Sequence, residues 1–445
     1  MAAAIGPSYM ATAIPATIAA PKSPPGAAPA MGFAGAPPAW LPGVHFAAAL
    51  AFFVCGAAGL VVVAPDLARG SFFLPRVAAV VHLFVLGWLV LSIFGALCQF
   101  LPVAIGRQVR WQTLAEVSFG AQVAGVAAFV TGLATSQRSV LYLGATLLTV
   151  AFASFAVNLI ATLVGAKERS LTFWALAGAS LFLLATPAFG FALALNLHGD
   201  VQLASRFATV ATHAHVALVG FVMLVIVGVA HRLLPMFLLS HGASERPAWI
   251  SVALLFGGAL VLSMPASLGS PRILAASALT AGGLVAFFVQ AALFFRHRKR
   301  RAIDPGMRLA ATGIAGMGGA LVLAPFALSA GVSNPRLLAT YFVVLVGAIG
   351  VFVAGHYFKI VPFIVWYHRF GPLVGKQKVP KVSDLYSETA AKIVGALLVI
   401  GWAGIAGGTL AGSALAVRAF AISFLAGAIV ETFLMTKIAR RRATA

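Results

Sequence analysis

HLFVLGW (82–88), HVALVGF (215–221) and FVVLVGA (342–348) are three versions of one segment, and their shared spacing decides the reading of the whole chain. In each, a glycine (Gly87, Gly220, Gly347) lies five residues after the first position and a proline (Pro102, Pro235, Pro362) lies twenty after it. The starting positions are separated by 133 and 127 residues. Each segment sits in an apolar block long enough to span about 30 Å of hydrocarbon at 1.5 Å per residue.

Working outward, 445 residues with 61% hydrophobic and 9% charged side chains and a mean hydropathy of +1.02 exclude a set of soluble domains. Continuous apolar blocks also exclude a β-barrel, whose strands alternate with period two. The blocks predict an all-α integral membrane protein with twelve transmembrane helices at 44–64, 77–103, 114–134, 140–165, 171–195, 207–239, 248–268, 272–295, 308–330, 337–366, 390–410 and 414–436. The three related segments fall in spans two, six and ten, so four spans separate each from the next. That spacing predicts three pseudo-threefold-related four-helix units (about 44–165, 171–295 and 308–436) with spans two, six and ten innermost. Residues 41–440 form the membrane domain in this reading. The Ala/Pro/Gly-rich residues 1–40 are expected to be a disordered cytoplasmic tail.

The formal net charge of +21 points to an anionic lipid surface rather than nucleic acid, because the basic residues lie in short loops between apolar blocks. Of the Lys and Arg residues, 20 fall at the termini or in loops after even-numbered spans and seven in the alternate loops. Positive charge is retained on the cytoplasmic side during insertion, so both termini are expected to be cytoplasmic, in a multi-pass protein of the bacterial cytoplasmic (inner) membrane. The run RHRKRR (296–301) reads as an inward charge anchor. Cys55 and Cys98 both lie in apolar blocks, which suggests no disulfide framework.

Ionisable groups at membrane depth are costly and mark candidate sites. His82 lies six residues beyond Arg76, and His213 and His215 lie seven and nine beyond Arg206, which places the three imidazoles roughly 9–14 Å inside the outer boundary. His213 and His215 are about 200° apart around the helix and cannot clamp one iron between them. If His82 faces span six, the repeat turns His215 toward span ten and His213 back toward span two. His82 and His213 then form the pair able to bracket one b-type heme, with His215 poised for a second heme or a copper ion. Arg76 and Arg206, just above that depth, are the candidate partners for heme propionates.

The remaining histidines read more simply. His231, His356, His241 and His368 are expected to be interfacial or helix-terminal, and His45, His198 and His297 are weaker candidates still. Glu116, Glu388 and Glu431, the acids nearest a span, are close to helix ends and are expected to be solvated or salt-bridged. GHYFKIVPFIVWYHRF (355–370) fits the aromatic and basic belt of a helix end, and GIAGMGG (313–319) fits close helix packing.

With these residues in view, the chain resembles the catalytic subunit (subunit I) of heme-copper oxidases and their nitric-oxide-reductase relatives. The likeness rests on His82 in VVHLFVLGW and on His213-Ala214-His215 in ATHAHVALVGF. It implies twelve helices in three arcs, hemes held by histidines, and a redox partner or other membrane subunits. The chain departs from that family in two ways. Its H-x-H lies on span six rather than ten, and span seven carries no histidine for an active-site copper. It is therefore more similar to a divergent non-oxidase member of the NnrS kind, associated with electron transfer or with nitric oxide and oxygen handling, than to a proton-pumping terminal oxidase. A competing reading is a metal-free membrane transporter that uses the inner-helix histidines.

Overall fold

The computed structural model describes residues 38–264 and 271–442. The expected tail therefore lies almost wholly outside the described residues, as does the end of span seven. Among the described residues the chain is all-helical, with no β-strand. We number the long helices α1 (Trp40–Val62), α2 (Pro75–Ile105), α3 (Gln112–Thr135), α4 (Arg138–Val164), α5 (Leu171–Leu197), α6 (Arg206–Leu238), α7 (Arg246–Leu262), α8 (Pro271–Arg296), α9 (Pro305–Ser333), α10 (Pro335–Arg369), α11 (Glu388–Ala411) and α12 (Ala414–Arg440). Eleven of these are long and apolar enough to cross a membrane, and α7 is a shorter apolar helix.

Local chemistry sets the helix starts. Proline occupies the first turn of α2, α7, α9 and α10, where its missing N–H is no loss. Ser205, Asp304, Asn334, Ser387 and Ser413 cap α6, α9, α10, α11 and α12 by accepting a backbone N–H from the first turn. Consecutive helices pack as neighbours along the chain, and α12 returns to α1. The closest pairs are the hairpins α3–α4 and α9–α10.

Burial separates inner from outer helices. In the most apolar window, 67% of α2, 78% of α6 and 56% of α10 is buried, against 33–50% for the other helices that qualify as spans. These are the three helices that carry the related segments. Their shared glycines are all crossing points: a side chain at Gly87, Gly220 or Gly347 would run into Phe52 of α1, Phe182 of α5 or Trp402 of α11. The third contact departs from a simple repeat, because Gly347 is crossed from the following helix and not from the preceding one.

Two features are invisible to hydropathy. Directly after His82 and directly after His215, α2 and α6 widen into eight-residue π-helical stretches, Leu83–Val90 and Val216–Met223. The two stretches occupy the same position relative to the repeat, whereas α10 stays α-helical throughout. A π-turn disturbs the carbonyl ladder, and in α2 Gln122 of α3 donates to the Leu86 carbonyl at 3.0 Å. The second feature is a short helix, Ala64–Arg69, between α1 and α2. Its buried Asp66 accepts from Arg76 Nε and Nη2 at 2.6 and 2.7 Å and from Arg69 at 2.7 Å.

The Arg76 hydrogen bonds, with help from Arg69, hold the Asp66 carboxyl below its ordinary value against the opposing effect of burial. A carboxyl with a depressed folded-state value stabilises the fold above its unfolded value and loses that contribution as pH falls through the folded one. Asp66→Asn is therefore expected to lower thermal stability at neutral pH. The loss is on the order of 1 kcal/mol, since both arginines are solvent-screened. In melts run from pH 7 downward, the gap between variant and parent should close below about pH 4.

Candidate functional site

The N-terminal halves of α2 and α6 are held apart by a cavity of about 340 Å³ that is walled mostly by Leu, Val, Phe and Ala. Neighbouring helices supply the remaining walls, among them Phe129 of α3, Leu148 of α4, Gly190 of α5, Phe342 of α10 and Trp402 of α11. Toward the C-terminal ends of the two helices α2 and α6 meet through Phe94 and Phe221, with ring centres 6.4 Å apart, and Phe94 stacks on Phe155 of α4.

Both His82 and His213 line the cavity. Their ring centres are 6.4 Å apart and their planes are inclined by 24°. His82 Nδ1 donates to the Ala78 carbonyl at 2.7 Å, one helical turn back, which fixes the tautomer and leaves Nε2 as the lone-pair nitrogen. Phe129 of α3 lies edge-on to the same ring at 5.1 Å. His213 is seated against α5 at Gly190, where an added Cβ would lie 3.1 Å from its Cε1. Its Nδ1 is enclosed and makes no hydrogen bond, although the Thr186 carbonyl is an acceptor beside the ring.

His215 does not line this cavity. Its Nδ1 donates to the Ala211 carbonyl at 2.7 Å, the same arrangement that Ala78 gives His82. No group of three or more His, Cys, Asp or Glu side chains able to hold a metal ion occurs among the described residues.

The two arginines part company. Arg206 is exposed at the lip of the cavity and takes part in no ion pair among the described residues. Arg76 is absent from the lining and is engaged by Asp66 through two hydrogen bonds. Its expected role as a propionate partner is therefore not supported, because its guanidinium fork already holds a carboxylate.

The other titratable residues divide similarly. Glu116 accepts from Gln112 on an exposed face, and Glu388 pairs with Lys392, as expected for helix-end acids. His231 pairs with Glu245 at 3.3 Å, while His45, His356 and His297 each bond the carbonyl four residues back. Glu431 contradicts its expectation. It is 0% exposed, and neither carboxylate oxygen has a hydrogen-bond partner. Distance from the helix end was a poor guide here, because α12 packs against α1, α10 and α11.

No known family model matches the chain, and no curated protein matches it.

Proposed function

We propose that the chain is a membrane-embedded b-type heme protein in which His82 and His213 are the two axial ligands and Arg206 faces a propionate. The observation that carries this reading is the spacing of the two rings across one apolar cavity. Two imidazoles bound to a single iron at about 2.0 Å each hold their ring centres roughly 6 Å apart, and these are 6.4 Å apart. The chemistry of the walls agrees, since a porphyrin needs apolar faces and a cation near its acid edge. Such a group supplies one-electron transfer. Any nitric oxide or oxygen handling would belong to a second heme or copper at His215.

The protein's own contribution is orientation and dryness. The Ala78 carbonyl sets the His82 tautomer, Gly190 makes room for the His213 ring, and Phe129 and Phe342 keep water from the space between the histidines. We further propose twelve membrane crossings in three pseudo-threefold units. The burial ranking of α2, α6 and α10 and the matching π-stretches of α2 and α6 support that arrangement. In this proposal the chain is a divergent, non-oxidase relative of heme-copper oxidase subunit I, and it functions with a redox partner.

A pyridine hemochrome assay on detergent-purified protein, produced with ample heme, tests the reading. At least one b-type heme per chain is expected. A colourless, folded protein would instead favour the metal-free transporter.

A further inference from the structure

The buried, unpartnered Glu431 and a hydrogen-bonded pair in its neighbourhood are left unused by the heme reading. Tyr357 of α10 is buried, and its hydroxyl lies 2.6 Å from Ser92 Oγ of α2. Ser92 in turn donates to the Trp88 carbonyl at 2.6 Å. Because the Ser92 proton is committed to that carbonyl, Tyr357 donates to Ser92, and the phenol oxygen keeps lone pairs free to accept. Glu431 lies within electrostatic reach of this phenol. The series ends at the backbone of Trp88, a residue that lines the cavity holding His82 and His213.

No cation faces Glu431 among the described residues. On the elements packed against α12, Glu388 and Lys392 pair with each other, Asp66 is held by Arg69 and Arg76, and His45 bonds the Leu41 carbonyl. On α10, Lys359 pairs with Asp304, His356 bonds the Phe352 carbonyl, Arg369 donates to the Arg441 carbonyl, and Tyr357 is hydrogen-bonded to Ser92. An isolated carboxylate in an apolar interior without hydrogen bonds is prohibitively costly, so the group is accommodated there as the acid.

We infer that Glu431 is an exchangeable proton-binding site inside the bundle, connected through Tyr357 and Ser92 to the histidine-lined cavity, and that its occupancy follows the charge placed in that cavity. The second half of this inference rests on the proposed heme. The step balances: oxidation by ferricyanide would withdraw one electron from the cavity and release the Glu431 carboxyl proton to water, and reduction by dithionite would return both, so the interior gains no net charge.

Two measurements on the full-length protein separate this inference from the heme reading. Infrared spectra should contain a protonated-carboxyl stretch that shifts in D2O and is missing from Glu431→Gln, whether or not heme is present. The proton site is overturned if that variant loses no such band, or if the band ignores D2O. In heme-loaded protein titrated with dithionite and ferricyanide, the midpoint potential should fall with pH at a slope approaching about 59 mV per unit, the conversion of a tenfold concentration change for a one-electron couple. Glu431→Gln should flatten that slope, and Glu431→Asp, which keeps an acid, should restore it. A Glu431→Gln protein that retains its heme bands and the parent slope overturns the coupling. Absence of heme overturns the heme reading and leaves the infrared test decisive for the proton site.

Discussion

Replacing His82 with Ala is expected to abolish the low-spin heme spectrum of the purified protein. Removing an outer partner of a metal ligand typically costs 10–100-fold in affinity, and loss of the ligand itself should cost on the order of a hundredfold or more. His213→Ala should behave alike, because both rings line the same cavity. His215→Ala supplies the internal control. That ring is outside the cavity, so the low-spin spectrum should survive its removal. Optical spectra of the three variants at equal protein concentration check this, and an unchanged spectrum in His82→Ala would remove the assignment. A spectrum lost from all three would point to a general disturbance of the bundle instead.

The second large effect lies in the α3–α4 hairpin, which supplies two of the cavity walls. Gly125, Gly132 and Gly144 let the two helices approach until backbone meets backbone. A Cβ on Gly144 would fall on the backbone of Phe129, one on Gly132 would lie 2.5 Å from Leu141 Cα, and one on Gly125 would lie 3.0 Å from Leu148 N. The positions 125, 129, 132 and 141, 144, 148 interlock with helical spacing, as small residues do at membrane helix crossings. Gly144→Val should therefore force the pair apart, costing about 3 kcal/mol or more. It should also reduce heme retention, because Phe129 and Leu148 form part of the wall. Gly120→Ala on the same α3 helix meets nothing within 4 Å and should be neutral or slightly stabilising. Thermal melts monitored by size-exclusion chromatography would distinguish these outcomes; equal melting of Gly144→Val and the parent would show that the close crossing is not required.

Hydropathy made most of the fold legible because each long apolar block has one physical outcome in a bilayer, a helix that satisfies its own backbone. The expected spans agree with the helices to within a few residues, except at the end of span seven. The choice of α2, α6 and α10 as inner helices was also readable, from the spacing of Gly87, Gly220 and Gly347 to the prolines. What the sequence hid depends on contacts between distant residues. Arg76 looked available because Asp66, ten residues upstream, falls in a stretch with no strong periodicity, and only folding of Ala64–Arg69 brings the two together. Glu431 looked like a helix-end acid because nothing local reports that the packed helices enclose it. The π-stretches after His82 and His215 carry no compositional signature, since Val, Leu and Gly serve α- and π-turns alike. The opposite facing of His213 and His215, by contrast, follows from helix geometry alone and was available from two residue numbers.

The most direct measurement is an experimental density map of the purified protein at the cavity between α2 and α6. The account predicts a flat, macrocycle-sized feature between the rings of His82 and His213, with continuous density to both and one edge directed at Arg206. Lipid or side-chain density filling that space, with the two imidazoles touching no common group, would contradict it.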